Sequence, residues 1–245
     1  MAKIKKRLDQ LLQEKLPHHS LREIQSWIMQ GKVRIEEEVV TKPGTQVTDQ
    51  DKIFYSIEEP KFVGRAGLKL EKALDHFSID VKGLVALDSG ISTRGCTDCL
   101  LQRGVKKVYG VDVGYGEVHE QIRNDSRVVL LERTNLRNLQ TVGELVDLIT
   151  LDLSFISVLK VMPAVINLLK PSGQLIVLIK PQFEASKYEV GAGGVVRDEK
   201  VRHVIVDTVV DGIKEYGFEF LGVVESPILG AKGNQEFLAY FKRKG

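Results

Sequence analysis

From residue 83 onward, short apolar runs alternate with segments of helical periodicity, and this alternation constrains the fold more than any other feature. Runs that alternate with helices are typical of a mostly parallel sheet covered on both faces. The sequence therefore predicts an α/β fold, a Rossmann-like seven-stranded sheet with helices on both faces. In such a sheet, the residues directly after each strand line the ligand cleft. The runs lie at 84–87, 107–111, 128–131, 148–151, 175–179, 218–224 and 237–241.

The first 59 residues follow a different pattern. Apolar residues recur at helical spacing over 6–16 and again over 21–30, which predicts two short helices. Apolar positions on both sides of a turn at 36–38, and a further apolar stretch at 52–55, predict a small set of strands. We therefore expect a small α+β domain at 1–59, a linker and a first helix at 60–82, and the sheet domain at 83–245.

The charge of the chain is unevenly distributed, although its formal net value is only +2. Residues 1–34 carry eight Lys and Arg against three Asp and Glu, whereas residues 35–59 carry two against seven. A positive face suits a phosphate backbone, and the alternative is an ordinary pair of solvated helices. The candidate nucleic-acid contacts are Lys5, Lys6, Arg7, Arg22, Lys32 and Arg65.

The sequence predicts neither a membrane span nor a secretory signal. No apolar run approaches the roughly 20 residues that cross a bilayer, because charged residues interrupt the most hydrophobic region at 147–170. The basic N-terminus has no apolar core behind it. We therefore expect a cytoplasmic protein without a membrane partner.

The two cysteines, Cys96 and Cys99, form a C-x-x-C pair. A structural zinc ion requires four soft ligands, and the five scattered histidines do not supply the missing two, so we predict no metal. A redox pair is a second interpretation. The third is two small apolar residues that open a helix in a reducing compartment.

The first two apolar runs end in a pattern that suits a nucleoside cofactor. The first run leads into a glycine-bearing turn and a helix expected to begin near Cys96 or Thr97. About 20 positions later the second run ends at Asp112, where a carboxylate can accept hydrogen bonds from ribose hydroxyls; a helix cap or turn residue is the alternative. The loop lacks G-x-G-x-x-G, which favours S-adenosylmethionine over a pyrophosphate-containing dinucleotide. The candidate cofactor-binding residues are Asp88, Gly90, Ser92, Thr93, Gly95, Asp112, Asn135 and Asp152.

Four further polar residues lie at or near the predicted sheet. Lys180 directly follows the run at 175–179 and precedes a proline, so we expect its ammonium group at the mouth of the cleft. Asp152 follows the fourth run, Glu236 precedes the seventh, and Lys69 lies ahead of the first. The alternative is that these four are ordinary surface charges.

Six motifs occur in order along the larger region: GRAGLKL, STRGCTDCLLQRG, YGVDVG, DLSFIS, KPQFE and GNQEF. They resemble the hemolysin A-like (TlyA) family of rRNA 2′-O-methyltransferases, whose catalytic domain is related to FtsJ-type RNA ribose methyltransferases. Residues 7–45, with RLDQLL and VVTKPGTQV, are similar to the alpha-L RNA-binding motif. The resemblance implies an alpha-L domain at 1–59, the first catalytic helix within 60–82, and an FtsJ-like methyltransferase domain at 83–245.

The resemblance also implies a catalytic tetrad of Lys69, Asp152, Lys180 and Glu236 that acts on ribosomal RNA with S-adenosylmethionine. A ribose 2′-hydroxyl is a poor nucleophile and must lose its proton as it attacks the methyl group. Lys180 is the candidate base. The nearby Lys69 would favour loss of the proton from Lys180, and the two carboxylates would orient the ammonium groups.

Arg94 departs from the family pattern, because a glycine is expected there; Ile91 and Cys96 are further departures. We expect the Arg94 side chain to point toward solvent or RNA phosphates, which leaves the pocket intact. A non-catalytic RNA-binding or ribosome-assembly protein is the alternative function. A membrane-active hemolysin is a third, suggested by the family name alone, and the sequence contains no strongly amphipathic lytic segment for it.

Overall fold

The computed structural model describes residues 5–17, 19–56, 60–91, 95–186, 188–191 and 193–245. The chain divides into two compact units, Met1–Pro60 and Lys61–Gly245. The segment 61–82 therefore belongs to the larger unit rather than standing between the two.

The smaller unit combines two helices with short strands. The amphipathic helices pack their buried leucine and isoleucine side chains against Val33 and Val47. Helix α2 begins with a capping box, in which the Ser20 side chain accepts from the Glu23 backbone N–H and the Glu23 side chain accepts from the Ser20 backbone N–H. The elements are β1 (Lys6–Arg7), α1 (Leu8–Lys15), α2 (Leu21–Met29), β2 (Val33–Ile35), β3 (Glu38–Val40), β4 (Gln46–Val47) and β5 (Ile53–Tyr55).

Strand β2 is the centre of a three-stranded antiparallel sheet with β3 and β5 on its two sides. The hairpin between β2 and β3 turns at Glu36 and Glu37, where the sequence predicted a turn. Glu36 has a φ of 50°, a left-handed conformation that non-glycine residues adopt at a cost. Strands β1 and β4 form a separate antiparallel pair.

The larger unit alternates strands with helices and confirms the predicted α/β class. Each of the seven predicted apolar runs lies within or overlaps a strand, because strands buried on both faces are apolar along most of their length. The elements are α3 (Ala66–His76), β6 (Val85–Ser89), α4 (Gly95–Gln102), β7 (Lys107–Val111), α5 (Glu120–Arg123), β8 (Val128–Leu131), β9 (Val146–Leu151), α6 (Met162–Leu168), β10 (Leu169–Ile179), α7 (Pro181–Glu184), α8 (Glu199–Lys214), β11 (Phe218–Glu225) and β12 (Phe237–Arg243).

These seven strands form one sheet in the order β11-β12-β10-β9-β6-β7-β8. Strands β6 to β10 are parallel, and β12 runs antiparallel between β10 and β11. The chain proceeds outward from β6 through β7 to β8 and then returns to β9 on the other side of β6. The ligand cleft of such a sheet is expected at this switch point.

The central strands distribute their side chains between two cores. On β10, Leu175, Val177 and Ile179 belong to the core that also contains residues of α6 and α8. Ile176 and Leu178 belong to the opposite core, which contains residues of α3 and α4. Helix α4 begins at Gly95, just before the predicted start near Cys96 or Thr97. Within the described parts of the chain, no helix combines the length and apolarity needed to cross a membrane.

Candidate active site

A cleft of about 430 Å³ opens at the carboxyl ends of β6, β7 and β9. Its wall contains Gly90 after β6, Asp112 after β7 and Asp152 after β9. Apolar surface comes from Leu136 and Ile156. This is the switch point of the sheet, as expected for a ligand site in an open α/β fold.

Gly90 brings two strand ends together on the floor of this cleft. Its φ is +98°, which L side chains rarely adopt, and a Cβ at this position would collide with the carbonyl oxygen of Asp152. The Asp152 backbone N–H donates to the Ser89 carbonyl at 2.9 Å, and the Gly90 N–H donates to the Val111 carbonyl at 2.9 Å. Only glycine satisfies both the conformation and the close approach.

The structure places Asp112 and Asn135 on the wall of the same cleft. One Asp112 oxygen, Oδ1, accepts from the Gly114 backbone N–H at 2.7 Å, which orients the carboxylate at the end of β7. The Asn135 side chain accepts from the Arg137 N–H at 3.0 Å and caps a short 3-10 turn at 136–138. Asp112 thus makes the turn contact that was the alternative to ribose binding, and Asn135 makes a cap contact. Both residues nevertheless line the cleft.

Asp88, a predicted cofactor-binding residue, does not line the cleft, which corrects the sequence-based expectation. Its carboxylate is 1% exposed and accepts hydrogen bonds from Thr97 Oγ1 at 2.6 Å and Thr150 Oγ1 at 2.7 Å. Burial raises the pKa of Asp88 to about 6, although the two hydroxyl hydrogen bonds oppose the change. Asp88 therefore joins β6 to α4 and β9 beneath the cleft.

Gly95 is also absent from the described cleft lining. A Cβ on Gly95 would collide with the backbone of Gly64 and Gly67, so this glycine allows α4 to begin against the segment that leads into α3. The predicted cofactor residues Ser92 and Thr93, together with Arg94, lie outside the described residues.

Asp152 and Lys180 form a buried ion pair at the ends of two adjacent strands. The Lys180 Nζ lies 2.6 Å from Asp152 Oδ1, and the two side chains are 8% and 4% exposed. Lys180 also donates to Ser154 Oγ at 3.1 Å. Because β9 and β10 are parallel neighbours, their ends meet at the same edge and bring the two charges together.

Lys69 and Glu236 form a second ion pair. The Lys69 Nζ lies 2.6 Å from Glu236 Oε2, with the side chains 12% and 2% exposed. Lys69 lies in the first turns of α3, and Glu236 directly precedes β12. The Gln182 amide donates to the other oxygen of Glu236 at 3.4 Å.

All four predicted tetrad residues line one further cleft of about 460 Å³, which we call the acceptor cleft. It shares Asp152, Ser154 and Phe155 with the cleft at the switch point. The sequence predicted the four residue positions, and the structure shows that each lysine is paired with a different carboxylate. The hypothesis of ordinary surface charges does not fit, because all four side chains are mostly buried.

Phe155 is a lining residue that the sequence reasoning did not single out. Its side chain is 90% exposed, and its φ is 64°. The ring lies 4.9 Å from that of Phe183, between centroids, on the wall of the acceptor cleft. The available signal was an aromatic residue three positions after Asp152, beyond the end of the apolar run at 148–151.

The predicted RNA-binding residues differ in how free their charges are. Lys6 is paired with Glu14 at 2.9 Å, and Arg7 with Asp9 at 2.7 Å. Asp9 is 1% exposed, and its hydrogen bonds from Arg7 lower the pKa of its carboxyl group. The positive face is therefore weaker than the simple charge count indicates. Lys5 and Arg22 are exposed, Lys32 is half-buried, and Arg65 lies on the wall of the acceptor cleft.

Cys96 and Cys99 are both buried and free. Burial raises the pKa of Cys99 to about 12 and the pKa of Cys96 well above its ordinary value. Thiolates are the reactive and metal-binding form of cysteine, so this environment suits the interpretation of two small apolar helix residues.

Comparison with known proteins identifies both units. Residues 62–243 match the model of the FtsJ-like methyltransferase family, which is about three quarters of the chain. The chain belongs to the FtsJ-like methyltransferase family. Residues 6–53 match the S4 domain, as expected from the alpha-L RNA-binding pattern of the smaller unit.

Similar proteins carry methyltransferase and hemolysin names. The chain is 42% identical over 215 residues to the 16S/23S rRNA (cytidine-2'-O)-methyltransferase TlyA of Mycobacterium tuberculosis, covering 86% of this chain and 80% of that one. A solved structure from Streptococcus thermophilus with a hemolysin name has a TM-score of 0.76 and 35% identity, covering 99% of this chain and 90% of that chain. The predicted resemblance to the TlyA family is confirmed.

The fold is also found in a more distant methyltransferase. The N-methyltransferase NodS of Bradyrhizobium japonicum, solved in complex with S-adenosyl-L-homocysteine, has a TM-score of 0.51 and 18% identity. The match covers 74% of this chain and 86% of that chain. The likeness confirms the predicted Rossmann-like sheet of the methyltransferase type.

Proposed function

We propose that this protein transfers the methyl group of S-adenosylmethionine to a ribose 2′-hydroxyl of ribosomal RNA in the cytoplasm. The observation that carries the proposal is the pair of buried lysine–carboxylate contacts on the acceptor cleft. This cleft shares part of its wall with the cleft at the switch point, which we call the cofactor cleft. The family match supports methyl transfer, and the similarity to the M. tuberculosis enzyme supports ribosomal RNA as the substrate.

The cleft at the switch point fits a nucleoside cofactor. Gly90 lets the ends of β6 and β9 approach each other on its wall, and the Asp112 carboxylate is held in place for ribose hydroxyls. Leu136 and Ile156 supply apolar surface for a base, and Asp152 lies where the cofactor cleft meets the acceptor cleft. When bound, S-adenosylmethionine would supply the electrophilic methyl group.

Lys180 accepts the proton that the 2′-hydroxyl loses as its oxygen attacks the methyl group. A general base must lie within hydrogen-bond reach of the proton that it removes, and Lys180 lines the acceptor cleft. Asp152 Oδ1 and Ser154 Oγ fix the Nζ atom from two directions, at 2.6 Å and 3.1 Å. They hold the amine at the boundary between the two clefts.

Lys69 and Glu236 position the acceptor ribose on the other side of the cleft. The Lys69 ammonium is fixed by Glu236, so it can donate to ribose or phosphate oxygen without carrying an uncompensated buried charge. Gln182 bonds to the same carboxylate and limits its rotation. The exposed ring of Phe155 offers a stacking surface for the base of the acceptor nucleotide.

The S4 unit supplies affinity for structured RNA. Lys5 and Arg22 are exposed there, and Arg65 donates to the Leu229 carbonyl at 2.8 Å on the wall of the acceptor cleft. Exposed cations contact phosphates and set the position of the protein on RNA without reading the sequence.

The proposal is tested with purified ribosomal subunits and methyl-labelled S-adenosylmethionine. The readout is label in dinucleotides that survive alkaline hydrolysis of the RNA, because 2′-O-methylation is the modification that makes the linkage resistant. The key variant is Lys180→Arg. Arginine keeps a cation next to Asp152, so the buried carboxylate stays compensated, but it does not become a neutral base. We expect transfer to fall by about 100-fold or more, the typical size of a general-base contribution, with cofactor affinity retained.

A matched pair on α3 provides the control. Lys69→Ala removes the partner of Glu236 and should reduce transfer, whereas Lys72→Ala removes an exposed lysine of the same helix and should not. Label on a base, or no label from the wild-type protein, would contradict the proposal. Absence of cofactor binding would instead favour the non-catalytic RNA-binding protein that the Arg94 departure leaves open.

A further inference from the structure

A basic cleft of about 410 Å³ lies next to the acceptor cleft. Its wall is built by the segment 195–197, the start of α8 and the turn at 229–235. Three of its lining residues are cations, namely Arg197, Arg202 and Lys232. None of its described lining residues is acidic.

The three cations have no carboxylate partner among the residues that the structure describes. Arg202 Nη1 donates to the carbonyl groups of Val196 and Arg197 at 3.2 and 2.8 Å, which fixes its guanidinium group. Its Nε atom is buried and has no hydrogen-bond partner in the described structure. Arg202 therefore adds an uncompensated positive charge to the wall of the cleft, and a group of three cations without a carboxylate favours an anion as the ligand.

The side chain of Asn234, which is 2% exposed, connects the two segments that form the wall of the basic cleft. Its amide nitrogen donates to the carbonyl groups of Gly194 and Ala231, both at 3.0 Å, and its oxygen accepts from the Val196 N–H at 3.1 Å. These bonds tie the segment before α8 to the turn that carries Lys232. Lys232 itself has a φ of 59°, a left-handed conformation that surrounding contacts must maintain in a non-glycine residue.

The basic cleft and the acceptor cleft are neighbours, because Leu229 and Lys232 line both. In RNA, the carbon that bears a 2′-hydroxyl is bonded to the carbon that bears the 3′-phosphate, so an acceptor ribose brings a phosphodiester with it. We infer that the basic cleft binds an RNA phosphodiester next to the acceptor nucleotide, which rests on the proposed function. Arg197 and Lys232 contact the phosphate, and Arg202 and Asn234 hold the walls.

The variants that test this are Arg197→Gln and Lys232→Gly. The Arg197 side chain is exposed and makes no hydrogen bond or ion pair within the described residues, so its loss leaves the fold unchanged. Glycine at 232 removes the cation and accommodates the positive φ. The matched control is Lys242→Gln, an exposed lysine opposite Gln174, at the end of β12 remote from Glu236.

The measurement is RNA affinity over a range of monovalent salt, using ribosomal RNA fragments and the full-length protein. Losing one phosphate contact should lower the slope of log affinity against log salt by about 0.7–0.9, which is about 5- to 8-fold weaker binding at 0.1 M salt. We expect this for Arg197→Gln and Lys232→Gly, with cofactor affinity unchanged, and no change of slope for Lys242→Gln.

Slopes equal to that of the wild type in both variants would overturn the phosphate site. Wild-type ribose methylation is measured on the same RNA in parallel. If the wild type methylates ribose while the variants keep its slope, only this inference fails. If the wild type transfers no methyl group to ribose, the proposed function fails.

Discussion

Replacing Asp88 with asparagine should change how the stability of the protein depends on pH. Burial raises the pKa of Asp88 from 3.8 to about 6 in the folded protein. Since one pKa unit corresponds to 1.36 kcal/mol, ionisation of this carboxyl destabilises the folded state by about 3 kcal/mol. Below pH 3.8 the carboxyl is protonated in both the folded and the unfolded state, and the folded state carries no penalty. As the pH rises from 3.8 through 6, the unfolded state ionises first, and the folded state loses this stability. An amide at this position does not ionise.

The free energy of unfolding of the wild type, minus that of Asp88→Asn, should therefore fall by about 2 kcal/mol between about pH 4 and pH 7. Urea unfolding followed by circular dichroism measures it, because the single tryptophan, Trp27, lies in the smaller unit. Asp207→Asn, which removes an exposed carboxylate of α8, is the control. A difference for Asp88→Asn that stays constant with pH would show that Thr97 and Thr150 fully offset the burial.

Three other perturbations have distinct outcomes. Asp112→Ala should weaken S-adenosylmethionine binding by about 10- to 100-fold, because charge-assisted hydrogen bonds contribute about 1.5–3 kcal/mol; an unchanged dissociation constant in calorimetry would remove Asp112 from the site. Gly90→Ala should reduce both cofactor affinity and stability through its positive φ and the collision with Asp152, and wild-type behaviour in binding and thermal melting would refute this. Deletion of residues 1–59 should leave a folded, cofactor-binding protein with reduced RNA affinity, and full activity on ribosomal subunits would show that the S4 unit is dispensable.

The sequence was sufficient for the sheet because its strands are buried on both faces and are therefore visible as apolar runs. It could not decide which polar residue at the end of β6 faces the cofactor. Asp88 and Ser89 are adjacent and both buried, and only the packing of Thr97 and Thr150 shows that Asp88 lies beneath the cleft. A sequence also does not show whether a glycine is needed for a ligand or for packing, as Gly95 illustrates.

The tetrad positions were predicted through motif resemblance, but their pairing was not. Lys69 and Glu236 are far apart in the chain, and their contact depends on how α3 packs against the end of β12. The basic cleft gave no sequence signal at all. Its cations come from two separate segments, and each alone resembles an ordinary surface charge.

The position of β12 between β10 and β11 has a consequence for biosynthesis. The ribosome makes this strand after the other six, and until it inserts, β10 has an unpaired edge and the site lacks Glu236. The nascent chain thus completes its sheet and its second lysine–carboxylate pair in the same step. An S4 unit that folds earlier can bind RNA before methyl transfer is possible, so binding and catalysis begin at different times in the life of each molecule.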